Sequence, residues 1–196
     1  MNKTVILLSL FTLFLGSCSN GQKTVREFYD ENFKWKITIP ENLKDANTKK
    51  WEKSRERGMQ AIEDTYGEGI EDYTIPIFTF NNGQFNVFEA MYEPFDPEVD
   101  GEFLETCKLV NEIMYTTFVT QMPDAVVDTL TTIEQIDNLD FYVFKIKITY
   151  PNKMILNMLM YSRLFDKQSF GLNIIYREEE IGQKMLDAWR NSTFGK

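Results

Sequence analysis

At 196 residues, 43% of them hydrophobic and 14% aromatic, the chain carries enough apolar material for one packed core and is not disordered. Its 30 acidic against 21 basic residues exclude a surface built to grip nucleic acid or to lie flat on anionic lipid. Histidine is absent, which removes Ser-His-Asp and Cys-His catalysis, nearly all zinc enzymes and histidine pH sensing.

The chain opens on Lys3 and then an apolar run from Val5 to Leu15, closed by the small residues Gly16 and Ser17 before Cys18. A positive start, a short apolar core and a small-residue cleavage site read as a secretory signal over residues 1–17. The run falls short of the ~20 apolar residues that a membrane span needs. Leu15-Gly16-Ser17-Cys18 resembles the lipobox of bacterial lipoproteins. That resemblance implies cleavage before Cys18, a diacylglycerol thioether on its sulfur and acylation of its amino group. Stable anchoring needs more than one acyl chain, and this modification supplies them. Cleavage would leave 179 residues; because the signal contributes one cation, Lys3, the mature net charge would be −10.

Residues 18–30 read as a lipidated tether and residues 31–196 as a single domain. In Phe33 to Ile39 the apolar residues Phe33, Trp35, Ile37 and Ile39 alternate with polar ones, which predicts a half-buried strand stopped by Pro40. Residues 47–66 predict a helix with a narrow stripe of Trp51, Met59, Ile62 and Tyr66, ended by Gly67. Thr74–Phe80 and Phe85–Tyr92 flank Asn81-Asn82-Gly83-Gln84, a hairpin signal, and Pro76 points to an edge position. Asp96-Pro97-Glu98 starts a helical turn. A helix over 101–122 follows, its inward stripe formed by Phe103, Cys107, Val110, Met114 and Phe118, widened by Leu104 and Ile113. Strands over 126–136, 141–150, 154–165 and 170–176 are joined by turns at Asp137-Asn138, Pro151-Asn152-Lys153 and Asp166-Lys167. The last helix, 178–190, has glutamates in its first turn and Ile181, Met185, Ala188 and Trp189 inward.

This order predicts an α+β fold, an antiparallel sheet of six or seven strands with amphipathic helices packed on it. The opening strand running into a Trp51-bearing helix, the closing meander, and Tyr176 leading into the final helix and Asn191–Phe194 resemble the PsbP-like α/β/α sandwich. Members of that fold are chiefly binding or assembly factors, so the resemblance implies a non-enzymatic role.

Asp96, Glu98, Asp100 and Glu102, with Gly101, resemble the start of an EF-hand calcium loop. Glu at the third position, Pro97, and Cys107 where a bidentate Glu is needed all depart from it, so the expectation is a solvated acidic helix start and no metal. Glu68, Glu71 and Asp72 form a second acidic loop that a carboxylate-pair hydrolase would need to organise. Met154, Met158 and Met160 offer thioethers to copper(I), but their alternation with Leu156 reads as core. Cys107, the other cysteine, falls on an apolar stripe and reads as structural, and the 191–193 sequon is uninformative in a bacterial lipoprotein.

No catalytic combination and no cofactor motif emerges. The expectation is a membrane-tethered lipoprotein acting as a binding or assembly factor for another envelope protein. The resemblance to bacterial lipoproteins, with Ser19 and not Asp after Cys18, implies the periplasmic side of the outer membrane. The alternatives are an immunity or inhibitor lipoprotein against a basic exported toxin, or an envelope hydrolase using paired carboxylates. The bilayer, through acylated Cys18, and a protein are the expected partners, and nucleic acid is not.

Overall fold

A computed structural model describes residues 26–67, 69 and 71–195. The signal and Cys18 lie outside these residues. The elements run β1 (Arg26–Asp30), β2 (Trp35–Ile39), β3 (Lys44–Asp45), α1 (Thr48–Tyr66), β4 (Ile75–Asn81), β5 (Val87–Pro94), α2 (Pro97–Asp100) and α3 (Phe103–Gln121). Then come β6 (Val126–Ile136), β7 (Leu139–Thr149), β8 (Ile155–Phe165), β9 (Gln168–Tyr176), α4 (Glu179–Arg190) and β10 (Thr193–Phe194).

Seven strands form one sheet in the order β3-β4-β5-β9-β8-β7-β6, with every pair antiparallel. The α+β expectation of an antiparallel sheet under helices is met. One expectation is corrected. Residues 26–30 belong to the body and not to the tether, because β1 pairs with β2 from Arg26↔Ile39 to Asp30↔Trp35. The opening strand therefore sits in a second, three-stranded sheet, β1-β2-β10. Its fourfold alternation of apolar residues was legible, but its partners lie just before it and at the far end of the chain.

The small sheet and α4 cover one face of the large sheet. Trp35, Ile37 and Ile39 of β2 pack with Met185 and Trp189 of α4 onto Phe141, Tyr161, Phe170 and Leu172. Trp35 and Trp189 are fully buried and meet edge to face at 5.9 Å. Burying two tryptophans contributes several kcal/mol, since a large side chain removed from water is worth about 1.5–3 kcal/mol. The other face carries Phe144, Ile146 and Ile148, on which Met114, Phe118 and Met122 pack. α1 lies beside α3, where Gln121 donates to the Ala61 carbonyl at 3.4 Å.

Turn chemistry sets the register of the meander. Asp137 and Asn138 both adopt positive φ, at 48° and 63°, the two-residue hairpin that matches strand twist. The Asn47 side chain caps α1 by accepting the Lys50 N–H at 3.1 Å, and Gly67 ends it at φ 78°. Met154 precedes β8, and Met158 and Met160 pack under α3, which leaves them in apolar packing.

Candidate functional site

β5 is the strand in which the sequence departs from its own logic. Phe88 and Ala90 face the aromatic core, so Glu89 between them turns toward the helices. It is only 7% exposed. Directly across in β9 stands Asn173, whose Nδ2 donates to Glu89 Oε2 at 3.3 Å. Burial raises the Glu89 carboxyl to about 7, against the opposing pull of Asn173, Trp51 and Arg55, with Asp72 adding to the rise. The Trp51 indole N–H favours the charged form but meets no acceptor in hydrogen-bonding geometry, so we count it as a weak contact. Arg55 is engaged elsewhere, by Asp72 and Thr74.

A cleft of about 160 Å³ opens under α3, lined among others by Met91, Glu93, Cys107, Val110, Asn111 and Asn173; it reaches Asn173, the partner of Glu89, but is not lined by Glu89 itself. Glu93 is also pushed up, first by burial and then by Asp72 and Asp100. Glu89 and Glu93 lie four residues apart on one strand face, so their Cα atoms are separated by about 13 Å. Burial raises the Cys107 thiol to about 11, so it stays protonated and unreactive at neutral pH.

The outer side of α3 is the other departure. Leu104, Leu109, Tyr115 and Val119 are exposed there, Leu109 by 57%. Leu104 was expected inward and corrects the stripe; Val110, partly exposed, does lie on the inward side, where it lines the cleft under α3 with Phe103 and Cys107. α3 is therefore apolar on both sides and covered by the sheet on one.

No family model matches the chain, and no curated protein matches it. Among solved structures, the chain is similar to cyanobacterial PsbP (CyanoP) from Synechocystis sp. PCC 6803. The TM-score is 0.56 at 9% identity, covering 92% of this chain and 99% of that one. The fold is PsbP-like.

On this PsbP-like body the acidic loop serves the chain itself. The Asp96 carboxylate accepts the Glu98 N–H at 3.2 Å, and Asp100 Oδ2 accepts the Asp96 N–H at 2.7 Å. The pair closes the first turn of α2. Among the described residues no three or more Asp, Glu or Cys side chains are grouped to hold a metal; Asp96, Glu98, Asp100 and Glu102 do not form such a group. Glu68 lies outside the described residues. Burial pushes Asp72 up, but bonds from Thr74 and then Arg55 outweigh it and hold its carboxyl below the usual range.

Sequence reasoning passed over Glu89 and the α3 surface. The available signal for Glu89 was one acid inside the otherwise apolar Val87–Met91.

Proposed function

We propose that the protein is a lipid-anchored envelope lipoprotein, held through acylated Cys18 at the periplasmic side of the outer membrane. Its PsbP-like body acts as a non-enzymatic binding or assembly factor for another envelope protein. The observation that carries the binding role is the exposed apolar outer side of α3. Leu104, Tyr115 and Val119 fall on one side of the helix with Leu109 beside them, an apolar surface that a partner could cover. With the body beginning at Arg26, the tether is residues 18–25, which span at most about 28 Å. The partner is therefore sought within that distance of the membrane.

The test compares capture from native membranes using the full chain and a Leu109→Glu/Val119→Glu variant. A partner recovered with the parent should fall at least about tenfold with the variant, since a charge set into an apolar contact is left uncompensated. Equal recovery would remove α3 from the interface. In parallel, Cys18→Ser should shift the protein out of the membrane fraction; unchanged fractionation would remove the anchor.

A further inference from the structure

The two ends of the seven-stranded sheet are treated differently. At one end the two-residue β3 covers part of β4, and Pro76 with a register shift between Pro76 and Phe78 disrupts the remainder. These are the usual devices that stop an edge from pairing. At the other end stands β6, eleven residues long and paired with β7 without interruption from Val126↔Thr149 to Ile136↔Leu139. It contains no Lys, Arg or Pro. Val126, Leu130 and Ile133 are each about three-fifths exposed. A long, regular edge without a bulge, a proline or a lysine is a template for another strand, and its two acids, Asp128 and Glu134, restrict which strand and register fit.

We propose that this edge pairs with β6 of a second copy of the chain, antiparallel about a two-fold axis at Leu130, joining two sheets into one. The strand's own sequence is compatible with a second copy as the occupant and favours the register that keeps the most apolar and threonine pairs. Centred on Leu130, the two copies place Leu130 against Leu130, Val127 against Ile133, Thr129 against Thr131 and Asp128 against Thr132. Thr129 with Thr131 is a favourable cross-strand pair, worth about 0.2–1 kcal/mol, the Leu130 pair and Val127 with Ile133 bury apolar surface, and Val126 faces Glu134 with no like charge opposite. Moving the centre to Thr131 sets Asp128 against Glu134, and moving it to Asp128 sets that carboxylate against its twin. Like charges directly opposite are destabilising. A one-residue slip of a single copy turns its apolar residues to the wrong face. Glu134 adds no repulsion at the chosen register, because it is held by Lys145 at 2.6 Å and by the Tyr161 hydroxyl at 3.0 Å.

The experiment uses the full chain in mild detergent. Sedimentation should show a dimer at tens of micromolar, and Leu130→Lys, which sets two ammonium groups opposite each other, should weaken it at least about tenfold. Leu130 is exposed, so this substitution leaves the fold intact. Independently, Leu130→Cys should form an intermolecular disulfide above the parent's background, because opposite strand positions lie within disulfide reach. Ile133→Cys, opposite Val127, should not. A monomer throughout the concentration range overturns the proposal, and so does a dimer that crosslinks through position 133 or is indifferent to Leu130→Lys. Neither result touches the α3 surface, which is read by capture of a different protein.

Discussion

Gly182 of α4 lies so close to the ring of Tyr176 that a Cβ at this position would stand 2.4 Å from it. α4 reaches the sheet through Ile181, Met185, Leu186 and Trp189, and Gly182 lets its first turn come down onto the end of β9. Glycine inside a helix costs about 1 kcal/mol against alanine. Here the close approach requires it.

Gly182→Ala separates the two effects by sign. Helix propensity alone predicts stabilisation. Overpacking against a buried ring predicts a loss of about 1–3 kcal/mol, and this is the expected outcome in urea unfolding. Tyr176→Leu introduced with Gly182→Ala should recover part of the loss. A Gly182→Ala protein more stable than the parent would mean that the ring yields freely.

Glu89 makes stability depend on pH in the direction opposite to most carboxylates. Its folded value, about 7, is above its ordinary 4.5. The folded protein therefore binds the proton more tightly than the unfolded chain. That contribution is fully present below about pH 4.5 and is lost as pH rises through 7. By linkage the loss is on the order of 3 kcal/mol. Glu89→Gln keeps the shape and the bond to Asn173 without the charge. It should be more stable than the parent at pH 8.5 and lack the decline between pH 5 and 8. If melts of the parent and of Glu89→Gln decline in parallel over that window, the buried carboxyl is not the cause.

The layer architecture was legible because its signals are local. The alternation in Phe33–Ile39, the Asn47 cap and the Asp137-Asn138 turn each follow from a few neighbouring residues. The assignment of β2 to a separate sheet was not, since pairing with β1 and β10 depends on residues at both ends of the body. Leu104 was misplaced for a related reason. Helical periodicity says which residues share a side, but α3 is apolar on more than one side, and only the position of the sheet decides which is covered. Glu89 was hidden because β5 has both faces covered, so alternation could not say which neighbours it met.

Glu134 ties four elements together. From β6 its carboxylate takes Lys145 of β7 at 2.6 Å, the Tyr161 hydroxyl of β8 at 3.0 Å and Arg190 of α4 at 3.4 Å. Burial pushes its carboxyl up, but bonds from Lys145 and Tyr161, and the charges of Lys145 and Arg190, bring it below the usual range. A depressed value contributes stability above about pH 4.5 that disappears as pH falls through the folded value. Glu134→Gln should cost about 1–3 kcal/mol at pH 7, with the gap to the parent closing in acid. A gap that is constant down to pH 2 would assign the loss to packing instead.

The acidic turn at 96–102 should not respond to calcium. Asp96 and Asp100 each direct a carboxylate oxygen at a backbone N–H of their own turn, and the four acids at 96, 98, 100 and 102 do not form a metal group. Binding calcium would require breaking these caps, and a ligand that binds only the folded state raises its stability with concentration. The expectation is that millimolar calcium and an excess of chelator give the same melting temperature, and that titration calorimetry shows no 1:1 isotherm. Asp96→Ala should cost about 1 kcal/mol through the lost cap, equally with and without calcium. A calcium-dependent difference between Asp96→Ala and the parent would show that these carboxylates leave their caps for a cation. In that case the acidic turn before α3 is a binding loop, and its role as a helix start is secondary.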